Sequence, residues 1–235
     1  MSKGSIIVFD QINHEMWPGE TMALLEQMNI KNYNLDLHKH IISTWAASRA
    51  ASQNNFRFKV ESGIKLILLG VNGSFVDDQT FINFIKQIKT FKSQKEYDSW
   101  HHSTIMSMRK KGDDLQLLLD KYNKSYDDYS YGIAAKLLNC YLKVFFLEYF
   151  GKEKFADFIH PPIDRLLLLA LKKEDPKLFN FNNKVFVSVK IPKIPVWTKI
   201  NENEYKEIIN LINEFIFSRG QKGLWKSEAF WIGHQ

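Results

Sequence analysis

The chain has 235 residues, 45% of them hydrophobic, which is enough for a folded core and excludes a disordered protein. Its formal net charge is +6 at pH 7, from 32 Lys and Arg against 26 Asp and Glu, and such an excess favours a polyanionic partner such as nucleic acid. A single cysteine, Cys140, excludes an internal disulfide and a cysteine metal cluster, and the longest apolar run is far too short to span a membrane.

The first half of the chain shows helical periodicity and helix-capping signals. Small residues recur around Trp45 in the helix that begins at Asp36, and they would let another helix approach closely. Asp77 is placed to cap a helix that buries Phe81 and Ile85. The predicted helices of this half lie at about 20–29, at 36–50, at 56–69, at 78–88, at about 94–110 and at 113–121.

The second half centres on an unusually apolar helix predicted over 133–150. Residues 176–200 alternate apolar and polar positions and contain three prolines, which predicts an extended segment near 183–198 with one short hairpin. Further helices are predicted at 163–173, 202–217 and 225–231. Together these elements predict a mainly α fold of packed helices in one domain over residues 1–235, or in two lobes, about 1–125 and 126–235, around a central cleft.

A lysine and an aspartate in this half suggest catalytic chemistry. Lys136 lies among apolar residues near the start of the central helix, and Asp164 follows Pro161-Pro162 at the head of the next helix. Burial favours the neutral amine of a lysine, which is the form that attacks carbon. Lys143 lies two helical turns further along nearly the same stripe and is the alternative nucleophile. The structural alternatives are a lysine that reaches solvent and an aspartate that only caps its helix.

The pair resembles the catalytic core of the helix-hairpin-helix DNA glycosylases, in which a Gly-x-x-x-Lys helix start precedes a Pro-x-Asp loop. In this chain Gly132 comes before Lys136, Asn139 completes the common Lys-x-x-Asn form, and Pro162-Ile163-Asp164 follows. The separation between Lys136 and Asp164 exceeds that in most of these enzymes and is most similar to the archaeal 8-oxoguanine glycosylase branch. The resemblance therefore implies a helical bundle of the helix-hairpin-helix glycosylase type.

The resemblance also implies roles for the matched residues. Lys136 would attack C1′ and form a Schiff base that allows strand cleavage by β-elimination, while Asp164 would orient or deprotonate it and stabilise positive charge on the sugar. Gly132, which remains from a shortened hairpin loop, would offer its N–H to a DNA phosphate. The excised base would be 8-oxoguanine, or a hypermodified phage base in an antiviral defence protein.

Base-excising enzymes extrude the target base and stack it between aromatic or apolar side chains. The candidate base-pocket residues are Trp45, Arg49, Trp197, Trp225 and Trp231. Core packing is the alternative role for each of these tryptophans. The candidate contacts to the DNA backbone, besides Gly132, are Arg165, Lys193 and Lys199.

A second resemblance runs nearly end to end, to a widespread group of small bacterial proteins with no assigned function. The segments that carry it are Trp45–Ala51, His160–Arg165, Trp197–Lys199 and Trp231–Gln235. It implies no substrate, but these segments are expected to converge on one site.

We therefore predict a monomeric enzyme that acts on DNA without a cofactor or a metal. A cytoplasmic location is expected because the first residues lack a signal-peptide pattern. The neighbouring His101 and His102 point about 100° apart on a helix and so rarely share a metal ion. Two alternatives stay open, a non-catalytic module that binds nucleic acid or protein on the same scaffold, and a glycosidase that acts on free nucleosides or nucleotides.

Overall fold

The computed structural model of the chain describes residues 34–51, 65–121, 123–190 and 193–231. Within these ranges the protein is mainly helical, with one two-stranded antiparallel sheet, so the predicted mainly α class is confirmed. The helix predicted over 20–29 lies outside the described residues, and so does all of the helix predicted over 56–69 except its last turn, which is helical at 65–68. None of the described helices combines the length and the apolar character needed to cross a membrane.

The described secondary structure follows the predicted order. The α-helices are α1 (Leu35–Ala51), α2 (Asp78–Lys86), α3 (Gln94–Met108), α4 (Asp113–Asp120), α5 (Tyr131–Phe145), α6 (Arg165–Glu174) and α7 (Glu202–Ser218). The strands are β1 (Val189–Lys190) and β2 (Ile194–Pro195). The 3-10 segments are Gln87–Thr90, Tyr126–Asp128, Leu147–Tyr149, Lys154–Phe158, Trp197–Lys199 and Leu224–Phe230.

Side-chain caps set the starts of the helices that carry the site. The predicted cap at Asp77 is confirmed, since its carboxylate accepts the Thr80 N–H at the start of α2. Ser130 caps α5 in the same way, so this helix begins earlier than predicted. Asp164 caps α6, so this helix begins slightly later than predicted and both prolines precede it. Asn201 and Glu204 form a reciprocal capping box at the start of α7.

Helix α5 is the centre of the described fold. Every residue from Tyr131 to Leu142 is buried, as its nearly continuous apolar sequence predicts. Helix α1 packs along α5, where the hydroxyl group of Tyr141 and the Nδ1 atom of His40 form a buried hydrogen bond of 2.9 Å. Helices α3 and α7 and the Trp197–Lys199 turn also contact α5. The side chains of α5 are therefore in contact with other elements on several sides of the helix.

The extended segment before α7 is tied to the start of α5. Strands β1 and β2 form the short predicted hairpin, with Val189 opposite Pro195. The chain then turns through Trp197–Lys199, and the Gly132 N–H donates to the Ile200 carbonyl at 3.0 Å. The contact needs glycine, because a Cβ atom on residue 132 would lie 2.1 Å from the Trp197 carbonyl oxygen. This close approach fixes the position of the Trp197 backbone, from which the indole projects.

Candidate active site

Lys136 and Asp164 face each other across the α5–α6 junction. The Lys136 Nζ atom lies 3.9 Å from the Asp164 Oδ2 atom, and the side chains are 10% and 20% exposed. The other carboxylate oxygen, Oδ1, accepts the Leu167 N–H at 2.9 Å and so caps α6. The capping interaction therefore occupies one oxygen of Asp164 and leaves the second directed toward the amine. The structure brings together the two residues that the sequence predicts as catalytic.

Trp197 covers the amine of Lys136. The Nζ atom lies 4.1 Å from the centroid of the Trp197 ring, which is within the range of a cation–π interaction. The indole is partly buried and lies on the turn that packs against Gly132. Of the predicted base-pocket residues, Trp197 is thus placed directly at the lysine.

A second lysine–carboxylate pair lies further along α5. Lys143 Nζ and Glu228 Oε2 are 2.6 Å apart, and the Trp231 ring centroid is 5.7 Å from the same nitrogen. Burial raises the pKa of Glu228; the nearby Asp164 charge also raises it, and Lys143 opposes the shift. A carboxylate at hydrogen-bond distance thus engages Lys143. Lys136 has its carboxylate at 3.9 Å, which favours Lys136 over Lys143 as the residue free to react.

Glu228 is a residue near Lys143 that the sequence did not predict as part of the site. It lies in the Leu224–Phe230 turn, far beyond Asp164 in the sequence, and no spacing rule connects that turn with α5. The aromatic residues of the C-terminal segment were the available signal. They predicted Trp231 as a pocket residue, but they did not indicate the acidic residue shortly before it.

Cys140 lies between the two lysines in the sequence of α5 and is inert in this environment. Burial raises the pKa of its thiol to about 11, and the charges of Lys136 and Lys143 only partly oppose that shift. The thiol is therefore protonated at neutral pH. It is a small buried side chain, as the sequence predicts.

Asn139 joins four elements next to Lys136 and Asp164. Its Oδ1 atom lies 2.7 Å from His101 Nε2 on α3, and its Nδ2 atom donates to the Pro161 carbonyl at 3.0 Å and to the Tyr205 hydroxyl at 2.9 Å. The Tyr205 hydroxyl in turn lies 3.0 Å from His160 Nδ1. The side chains of Asn139, His101, Tyr205 and His160 are almost completely buried.

The two neighbouring histidines have separate partners. Burial, with the neighbouring His160 second, holds the pKa of His101 well below its ordinary value. His102 lies 3.2 Å from the Tyr131 hydroxyl instead. Within the described residues, no group of three or more His, Cys, Asp or Glu side chains is arranged to hold a metal ion.

The other predicted base-pocket residues lie in different places. The Arg49 guanidinium is 5.4 Å from the Trp45 ring centroid, and both residues are on the exposed side of α1. Trp225 has partners within the protein itself. Its ring stacks on Phe150, and its N–H donates to Asp157 at 3.1 Å. Its N–H and one ring face are therefore engaged inside the protein instead of being offered to a base.

The predicted DNA contacts divide into one buried residue and three exposed ones. The Gly132 N–H is used by the Ile200 carbonyl, so the expectation that it donates to a DNA phosphate is corrected. Arg165, Lys193 and Lys199 have exposed side chains. Arg165 directly follows Asp164, and Lys199 lies in the same turn as Trp197. Lys193 directly precedes β2, which packs against α6.

Comparison of the chain with family models, with curated proteins and with solved structures found no match in any of the three.

Proposed function

We propose that the protein is a DNA glycosylase whose Lys136 amine attacks C1′ of a modified nucleotide. The observation that carries the proposal is the Lys136 amine at 3.9 Å from the Asp164 carboxylate, under the Trp197 ring. An amine nucleophile needs a group that accepts its proton and a surface that tolerates positive charge. Asp164 supplies the first requirement and the indole face of Trp197 supplies the second.

The proposed reaction forms a bond between Lys136 Nζ and C1′ and breaks the bond between C1′ and the base. Asp164 accepts one proton of the ammonium and delivers it to the departing base, which leaves with the bonding electron pair. A second proton passes to O4′ as the sugar ring opens, and the third stays on the nitrogen of the resulting Schiff base. Loss of a proton from C2′ then expels the 3′ phosphate, or water hydrolyses the Schiff base and releases the lysine.

The surroundings of the pair suit an extruded nucleotide. Lys143, Glu228 and Trp231 place a donor, an acceptor and an exposed ring two helical turns from Lys136. Modified purines present both donors and acceptors on their edges and a flat face for stacking. 8-Oxoguanine is the first candidate base because of the resemblance to the archaeal branch, and a hypermodified phage base is the second.

The proposal is tested with duplexes that carry candidate bases and with one that carries an abasic site. Borohydride reduces a Schiff base to a stable adduct, so trapping on the abasic duplex reports amine attack whatever base the enzyme excises. We expect the wild type and Lys143→Ala to be trapped and Lys136→Ala to lose trapping. Equal behaviour of Lys136→Ala and the wild type on every duplex would remove the nucleophile assignment.

A further outcome of the same test distinguishes the non-catalytic alternative. A module that only binds nucleic acid retains duplex binding in Asp164→Asn and gives no product or adduct with any substrate. The exposed Arg165, Lys193 and Lys199 would then remain as a binding surface without chemistry. A glycosidase for free nucleosides would cleave those substrates and not the duplexes.

A further inference from the structure

Asn139 holds the loop that carries Asp164 to the helix that carries Lys136. The amide lies on α5 one helical turn after Lys136 and is fully buried. It donates to the carbonyl of Pro161, which lies shortly before Asp164. Neither Pro161 nor Pro162 has an N–H, so this stretch has no backbone donors with which to fix itself. The bond from the Pro161 carbonyl to Asn139 therefore places this stretch together with the donation of the His160 N–H to the Tyr97 hydroxyl at 3.4 Å.

The orientation of the Asn139 amide follows from its partners. The Pro161 carbonyl only accepts, so it must face the amide NH2 group, and the amide oxygen must face His101 Nε2. His101 therefore carries its proton on Nε2 and donates it to Asn139 at 2.7 Å. Its low pKa, which results first from burial, keeps it neutral with a single N–H to donate. The Pro161 carbonyl thus fixes which way the amide points, and the N–H of His101 suits that orientation.

The donors and acceptors on the NH2 side of the amide can be assigned in the same way. The Tyr205 oxygen accepts from the Asn139 NH2 group, so its own O–H donates to His160 Nδ1 at 3.0 Å. His160 then carries its proton on Nε2 and donates to Asp98 Oδ1 at 3.0 Å. The residue before Pro161 is thereby anchored as well. Each of these bonds then has one donor and one acceptor.

We infer that Asn139 is a positioning residue, which sets the distance between the Lys136 amine and the Asp164 carboxylate by holding Pro161, with Tyr205 and His160 as a second anchor. The catalytic consequence rests on the proposed function, whereas the geometric consequence does not. Helix α5 then supplies both the amine and the bond that places its carboxylate partner. Displacement of a catalytic group by about 1 Å costs roughly 100-fold in rate.

The test compares three variants of the full chain. Asn139→Ala removes the donors to Pro161 and Tyr205 and the acceptor of His101. Tyr205→Phe keeps the Asn139–Pro161 bond and removes the hydroxyl that bonds both Asn139 and His160. Tyr141→Phe is the matched control, because it also removes a buried tyrosine hydroxyl bonded to a histidine Nδ1, in a pair with His40 that does not include the Asp164 loop.

Two readouts are needed, namely crystal structures of the variants and single-turnover borohydride trapping on the abasic duplex. We expect the Lys136 Nζ–Asp164 Oδ2 distance to increase by about 1 Å or more in Asn139→Ala and to stay unchanged in Tyr141→Phe. Trapping should slow roughly 100-fold in Asn139→Ala and about 10-fold in Tyr205→Phe, with duplex affinity within twofold of wild type. Tyr141→Phe should stay within twofold of wild type in both measurements.

An unchanged Lys136–Asp164 distance in Asn139→Ala, or a Tyr205→Phe rate equal to that of Tyr141→Phe, would overturn the positioning role. If Asn139→Ala does not fold, the comparison of Tyr205→Phe with Tyr141→Phe still tests the positioning role. Failure of the wild type to be trapped would count against the glycosylase proposal alone, since the distance readout needs no activity.

Discussion

Asp164 divides its two carboxylate oxygens between helix α6 and Lys136. Oδ1 accepts the Leu167 N–H at 2.9 Å, and Oδ2 lies 3.9 Å from the Lys136 amine, although the two side chains are far apart in the sequence. A cap and a catalytic partner are usually alternative explanations for an aspartate. At this position one oxygen caps the helix and the other faces the amine, so the cap and the proposed catalytic role have to be separated by substitutions that remove one and keep the other.

Asp164→Asn keeps the cap and removes the charge. The asparagine oxygen still accepts the Leu167 N–H, so we expect the free energy of unfolding in urea to stay within about 0.5 kcal/mol of wild type. Loss of the proton acceptor should reduce single-turnover trapping on an abasic duplex by about 10²–10⁴-fold. Asp164→Ala is the comparison, and it should cost about 1 kcal/mol of stability in addition. Trapping at the wild-type rate in Asp164→Asn would leave Asp164 as a cap alone.

Gly132→Ala should destabilise the fold, because the new Cβ atom would lie 2.1 Å from the Trp197 carbonyl oxygen. We expect a loss of about 3 kcal/mol in urea unfolding, since the contact is with backbone and cannot be relieved by a rotamer change. Gly112→Ala is the matched control, because nothing lies within 4 Å of a Cβ atom there, and it should cost less than about 1 kcal/mol. Similar losses in both variants would contradict the close approach that fixes Trp197.

Local signals in the sequence predicted the helices, because caps and periodicity depend on neighbouring residues, whereas the pairing of Lys136 with Asp164 was predicted from the family resemblance. Asp77 and the apolar run of α5 predicted where their helices begin to within a few residues, whereas α5 ends at Phe145 instead of at 150. The Pro-x-Asp segment indicated a second helix close to Lys136. These features needed no knowledge of how distant parts of the chain pack.

The rest of the site depends on packing between distant segments. Glu228 reaches Lys143 only because the C-terminal turn folds against α5, and no local rule predicts that contact. Gly132 was expected to contact phosphate, but its N–H is used by Ile200, which lies far along the sequence. Trp225 was expected in the base pocket and instead stacks on Phe150. The residue types marked these positions as candidates for the site. The residues that they contact could be identified only from the tertiary structure.

Stability should fall in mild acid because of His101. An unfolded histidine titrates near pH 6.5, and burial lowers the pKa of His101 in the folded state. Below about pH 6.5 the unfolded chain therefore binds a proton that the folded chain does not, so the free energy of unfolding decreases as pH falls toward the lower folded pKa. The decrease is about 1.4 kcal/mol per pH unit for one such group.

Urea unfolding at pH 7.5 and pH 5.5 measures this effect. His40 contributes in the same direction, because burial also lowers its pKa while Asp78 opposes the shift. His101→Gln should be less stable than wild type at pH 7.5 but should lose about 1 kcal/mol less between the two pH values. An equal loss in wild type and variant would show that His101 is not the group that titrates.

Arg165, Lys193 and Lys199 should contribute to DNA affinity through phosphate contacts. Each contact to a phosphate releases a condensed counterion, so replacing one of these residues by Ala should lower the slope of log Kd against log salt by about 1. Lys152 is the control, because it is exposed but lies beyond the opposite end of α5 from Lys136. Fluorescence anisotropy with one duplex at several salt concentrations measures the slopes. A slope in Lys152→Ala reduced as much as in the three variants would remove this assignment.

The proposed reaction requires the Lys136 amine to be the group that bonds to C1′. The most direct measurement is peptide mapping by mass spectrometry of the adduct formed when borohydride reduces the wild-type protein on an abasic duplex. We expect the modified peptide to carry the sugar on Lys136. An adduct on Lys143, an adduct elsewhere in the chain, or no adduct at all would contradict it.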